Sequence, residues 1–104
     1  MNYHDRQLDA LGDPTRRAIL ARLIQGPLPV GELSAHFDVS RPAISQHLRV
    51  LKHARLVTDT AVGTRRVYAI DPDGFEQLRS YFDQFWGLAL EKFKSRVERK
   101  KDDD

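Results

Sequence analysis

The stretch that most constrains the fold is Ser40 to Ala54, SRPAISQHLRVLKHA. Ser40 carries the short side-chain oxygen that satisfies free amides at a helix start, and Pro42 fits a first turn where no backbone donor is needed. Beyond them Ile44, Leu48 and Leu51 recur at i, i+4 and i+7, which stacks them on one helical face with His47 and Ala54 at its margin. This spacing predicts a buried face. The opposite face holds Ser45, Gln46, Arg49 and His53, flanked by Arg41 and Lys52, a set of donors and acceptors without a carboxylate. Such a surface suits nucleic acid, because a carboxylate would repel phosphates, whereas Gln bonds an adenine edge bidentately and Arg a guanine edge. A merely solvated face opposite an apolar stripe looks the same in isolation, so the neighbouring segments must decide.

Charge distribution gives the first decision. The chain of 104 residues has a formal charge of only +2, too small to argue from. Between Arg41 and Arg66, however, stand six basic residues (Arg41, Arg49, Lys52, Arg55, Arg65, Arg66) against one acid, Asp59, a local excess of +5. The remainder holds eleven basic and fourteen acidic residues, a net of −3. Positive charge gathered on one part of a chain is the footprint of a polyanion binder.

The segments around this stretch predict a helix-turn-helix. Tyr3 to Leu11 places Leu8 and Leu11 at helical spacing, a short amphipathic start. Asp13-Pro14 opens a second helix to about Gln25, with Ile19, Leu20, Leu23 and Ile24 expected inside, and Gly26-Pro27 ends it. Arg16 and Arg17 lie in its first turn, an unfavourable place for cations beside the positive end of a helix dipole, and either Asp13 or a bound phosphate would compensate them. From Pro29 to Phe37, Val30, Leu33 and Phe37 recur at i, i+3 and i+7 as a third, short helix, and Asp38-Val39 turns into the Ser40 helix.

After Ala54 the period changes. LVTDTAV and RRVYAI are rich in β-branched residues and flank Gly63-Thr64, the pattern of a two-stranded hairpin, or wing. Arg65 and Arg66 stand at its base on opposite faces of a strand, where they serve backbone phosphates along or within the minor groove, or else protect a strand edge from pairing. Asp71-Pro72 opens a last helix to about Arg99, whose Phe75, Leu78, Phe82, Phe85, Trp86, Ala89, Phe93 and Val97 form a stripe over roughly six turns, widened by Tyr81, Leu88 and Leu90. That is more aromatic surface than one small domain hides. A second copy of the chain, meeting it through Leu8, Leu11, Phe82, Phe85, Trp86, Ala89 and Phe93, is the expected cover, with a cofactor pocket as the alternative. Residues 1–99 are therefore expected to form one DNA-binding and dimerisation domain, and 100–104 a disordered charged tail.

The succession LGDPTRRAIL, PVGELSAHFDVSRPAISQHLRVLKHARLV and GTRRVYAI resembles the ArsR/SmtB family of winged helix-turn-helix regulators over nearly the whole chain. The resemblance implies a mainly α fold of order α-α-α-α-β-β-α with a small β-hairpin. It implies homodimers joined through the first and last helices, and repression from inverted-repeat operators, often of the protein's own operon. It also implies that Ser40, Arg41, Ser45, Gln46, His47 and Arg49 occupy positions that meet the operator. Helical geometry puts His47 nearer the core edge than the groove, and Lys52, Arg65 and Arg66 complete the expected DNA-binding set.

The family's metal sites do not carry over. Its soft-metal sensors have a Cys-rich motif on the third helix, where this chain has Pro29, Gly31 and Ser34, and its zinc sensors use Asp and His on the last helix, where no histidine follows His53. The chain contains no cysteine, which excludes disulfides and thiolate sites, and His4, His36, His47 and His53 are scattered. The sequence thus resembles the metal-independent members: no metal, no cofactor, and an effector left open among a small molecule, a protein partner or none. The N-terminus lacks an apolar core of the kind signal peptides have, and no apolar run approaches the roughly eighteen residues of a membrane span. A cytoplasmic regulator with double-stranded DNA as its partner, and no membrane partner, is expected. The rival is a winged-helix module that docks protein or RNA. An enzyme is not expected, since no nucleophile with a partner base, phosphate-cradling Gly loop or paired carboxylates stands out.

Overall fold

Helix formation follows the caps. The computed structural model describes residues 3–102, with α1 over Tyr3–Leu11, α2 over Pro14–Ile24, β1 over Leu28–Pro29, α3 over Val30–Ser34 and α4 over Arg41–His53. The wing strands β2 (Val57–Val62) and β3 (Arg65–Ile70) and the long α5 (Pro72–Asp102) complete it. At the head of α4, Ser40 Oγ accepts from the Ala43 amide at 3.2 Å. At its end Arg55 N donates to the Lys52 carbonyl at 3.0 Å and Leu56 N to Leu51 at 2.9 Å, a Schellman turn for which Arg55 takes the left-handed φ of +60°. Ile44, Leu48 and Leu51 are wholly buried, joined by Ile19, Leu33 and Leu56 from α2, α3 and the start of the wing. Burying each such side chain contributes on the order of 2 kcal/mol, so the recognition helix is anchored by its own apolar stripe.

The two cations in the first turn of α2 have a third explanation besides those expected. Asp13 Oδ1 does accept from Arg16 N at 3.0 Å, but the guanidiniums turn back to the end of α1. Arg16 donates Nε to the Ala10 carbonyl at 2.7 Å and Nη2 to Asp9 at 3.2 Å, while Arg17 Nη1 donates to Leu11 at 2.7 Å. They cap the negative end of α1, whose last carbonyls have no helical partner.

Asp13 is held below its ordinary carboxyl value of 3.8, first by the Arg16 amide and then, against desolvation, by the charges of Arg16 and His47. A carboxyl lowered on folding stabilises the fold fully above its unfolded pKa, and that contribution is lost as pH falls through the folded value, below about 4. Thermal melts at neutral pH and near pH 3 should therefore show less acid destabilisation for Asp13→Asn, which keeps a capping oxygen but no titrating one, than for wild type. Equal acid sensitivity would count against this assignment.

The wing has one strand more than expected. β2 and β3 pair antiparallel from Val57 opposite Ile70 to Val62 opposite Arg65, with Gly63 at φ +62° in the turn, but β1 adds Leu28 opposite Tyr68 and Pro29 opposite Val67, giving the order β1-β3-β2. Two residues are too short to leave an alternating pattern, and proline is tolerated on an edge. One burial and two boundaries also differ from expectation. Ile24, expected inside, is 69% exposed, because it stands about 90° around the helix from the mean direction of buried Ile19, Leu20 and Leu23. The third helix stops at Ser34, and Phe37 reaches the core from the turn that follows. α5 passes Arg99 to Asp102 and so takes in the start of the tail expected to be disordered. Asp103 and Asp104 lie outside the described residues.

The first turn of α5 is laid across the α4–β2 corner. Asp71 N donates to the Leu56 carbonyl at 3.0 Å, and the fully buried Gln7 of α1 donates Nε2 to the Gly74 carbonyl at 3.1 Å. His4 stacks on Tyr81 with ring centroids 4.4 Å apart. Beyond Tyr81 the helix leaves the body: every residue from Phe82 to Arg99 is exposed, and the molecule measures 69 × 27 × 26 Å.

Candidate nucleic-acid interface

With Ile44, Leu48 and Leu51 held inside, the helical repeat leaves Gln46, Arg49 and His53 exposed on the far side of α4, with Ser45 half-buried on its flank. Arg49 Nη1 donates to Gln46 Oε1 at 3.2 Å, so the two groups suited to base edges stand together as an ordered pair. Ser40 is exposed, and its oxygen accepts from the Ala43 amide, which leaves the hydroxyl hydrogen to donate outward. Arg41 projects beside Gly31, where an added Cβ would stand 3.8 Å from its guanidinium carbon. Arg41, Gly31, Thr64, Arg65 and Arg66 line an open cleft of about 330 Å³ between the helix-turn-helix and the wing.

His47 sits half-buried at the opposite margin, where the helical repeat puts it. Its Nδ1 lies 3.4 Å from Arg16 Nη1. The contact joins α4 to the residue that caps α1.

The expected cations are less free than a count of the sequence suggests. Arg65 pairs with Glu32 of α3 across the cleft. Lys52 Nζ lies 2.7 Å from Asp59 Oδ1, and Arg66 Nε lies 3.1 Å from Asp59 Oδ2, with the Asp59 side chain only 8% exposed. The sequence gives no sign of Glu32 at this site, and it marks Asp59 and Arg16 without assigning them to it. Asp59 carried a signal, as the single acid in the basic window, but Glu32 and Arg16 are joined to Arg65 and His47 only by the tertiary fold. The electropositive side is therefore a set of partly neutralised cations beside the exposed Gln46–Arg49 pair.

Among the residues expected to meet a second copy, Phe85, Trp86 and Phe93 are each at least 60% exposed, Leu8 and Phe82 are 37% exposed, and Ala89 is exposed as well. Leu11 is half-buried against the core of its own chain. Among the described residues no group of three or more His, Cys, Asp or Glu is placed to hold a metal ion, and no helix is long and apolar enough to cross a membrane.

Comparison with known proteins meets this geometry. Residues 13–59, which span α2 through the start of the wing, match the family described as bacterial regulatory protein, arsR family. The HTH-type transcriptional regulator Rv2034 of Mycobacterium tuberculosis is 54% identical over 99 residues, 95% of this chain and 92% of its own length. The transcriptional repressor SdpR of Bacillus subtilis is 40% identical over 62 residues, 60% of this chain and 69% of its own. A solution structure described as the homodimeric winged helix-turn-helix DNA-binding domain of Mb0332 from Mycobacterium bovis superposes with a TM-score of 0.65 at 27% identity, covering 88% of this chain and 82% of that one. With a capped helix offering a polar face beside a cationic wing, and a match to Rv2034 along 95% of its length, the chain belongs to the arsR family of bacterial regulatory proteins, as a DNA-binding transcriptional regulator with the winged helix-turn-helix fold.

Proposed function

We propose that the protein is a homodimeric repressor that acts in the cytoplasm on an inverted-repeat operator, with α4 in the major groove and the wing against the flanking backbone. The observation that carries this reading is the two-sidedness of α4: Ile44, Leu48 and Leu51 are 0% exposed, while Gln46 and Arg49 are exposed and bonded to each other. The exposed aromatic stripe of α5 and the homodimeric state of the M. bovis domain support pairing, and the name of the B. subtilis relative supports repression. Two-fold pairing sets the recognition helices about 34 Å apart, one turn of B-DNA, so that occupation of the operator excludes polymerase. Arg41 and the wing arginines hold phosphates and fix the register, and Gln46 and Arg49 choose bases. With no cysteine in the chain, release from DNA depends on an effector other than a thiolate-bound metal, or on protein concentration.

Arg49→Ala tests the reading. On a duplex enriched by the wild-type protein, the substitution should cost about 1–3 kcal/mol and flatten preference at one base position. Since Arg49 is exposed and bonded only within the outer face, thermal stability should change by less than about 0.5 kcal/mol. An Arg49→Ala protein with unaltered base preference would favour the protein- or RNA-docking rival.

A further inference from the structure

Asp59 is the feature that this function does not explain. A wing strand needs no carboxylate, and its neighbours Thr58 and Thr60 show what suffices in β2. A carboxylate at this point also subtracts from the positive charge that attracts DNA, and its burial is costly unless it is paired. Yet the Asp59 side chain is only 8% exposed, beneath two cations that are each about half exposed. Its two oxygens are divided between different elements, Oδ1 taking Lys52 from the last turn of α4 and Oδ2 taking Arg66 from β3. Asp59 faces Tyr68 in the sheet register and Ala61 faces Arg66, so Asp59 and Arg66 are diagonal neighbours on one face of the wing. One carboxylate therefore fixes the end of the recognition helix, the wing and the spacing of two cationic heads.

We propose that Asp59 is a positioning residue for operator recognition: it holds Lys52 and Arg66 as a rigid pair for adjacent backbone phosphates, favouring the operator over random DNA instead of strengthening binding to all DNA. The proposal rests on the DNA reading above. Charge sharing is what separates the two effects. With Asp59 in place the three groups carry a net +1; without it they carry +2 with no fixed geometry. Free cations tighten binding to any duplex through counterion release, while a fixed pair rewards only the duplex whose phosphates lie at its spacing.

Asp59→Asn in the full chain, with affinities for a wild-type-enriched duplex and for a random-sequence duplex of equal length measured across a salt series, tests it. The variant should bind the random duplex more tightly, with a salt slope steeper by about one ion, and the ratio between the two duplexes should fall roughly tenfold. Asp59→Glu keeps the charge and moves it by one methylene; it should lower the ratio at an unchanged slope, and it carries the test alone if the asparagine variant does not fold. If wild type discriminates and both variants retain its ratio, Asp59 positions nothing. If wild type itself binds the two duplexes alike, the DNA reading fails and the proposal fails with it.

Discussion

Trp86→Asp is expected to yield a folded monomer whose affinity for the operator is lower by at least about a hundredfold, because two half-sites then have to be held by separate molecules. Trp86 is 60% exposed and stands between Phe85 and the exposed Ala89 and Phe93, on the part of α5 that has left the body of the molecule. The substitution removes little from the chain's own core, yet it places a charge in the middle of an apolar stripe that would otherwise be dry in the dimer. Sedimentation at micromolar protein, beside a thermal melt, separates the two consequences. A dimer that survives the substitution with full operator affinity would mean that α5 is not the pairing surface.

The second large effect is on stability. Gly74→Ala should cost about 3 kcal/mol or more, the upper end for overpacking, and lower the melting temperature by more than about 10 °C. The new Cβ would stand 1.5 Å from the Arg55 carbonyl oxygen and 2.7 Å from its carbon. Both are backbone atoms of the turn that ends α4, so no side chain can swing aside. Either the first turn of α5 lifts away from the body, breaking the Gln7–Gly74 bond, or the Arg55 turn deforms and carries the end of the recognition helix with it. A melt within a few degrees of wild type would show that this corner is less tightly packed than described.

Legibility in the sequence followed the range of the interaction. The caps at Ser40 and Asp13, the stripe of Ile44, Leu48 and Leu51, and the glycine turn at Gly63 are fixed by neighbours within a few residues, and each stands where the spacing puts it. The two-residue β1 exists only because β3 offers its free edge, so nothing in Leu28-Pro29 announces it. Ile24 has the residue type of a core position but not its angle around the helix. Arg16 and Arg17 looked misplaced within their own helix, and they are satisfied by the end of the helix before it. The exposed Gln46–Arg49 pair follows from helical geometry alone, whereas the charges around it do not: Arg65 meets Glu32 across thirty-three positions, and Lys52 and Arg66 share one carboxylate. A net charge summed over a window cannot see pairing of that kind.

In the proposed complex α4 presents its polar face to DNA twice, once from each copy. Selection of bound duplexes from a random-sequence pool, at fixed physiological salt, examines that claim without assuming an operator. Enrichment of an inverted repeat whose half-site centres lie about one helical turn apart is the result expected. Recovery of duplexes with no shared motif, or of a lone half-site with no symmetric mate, would contradict it.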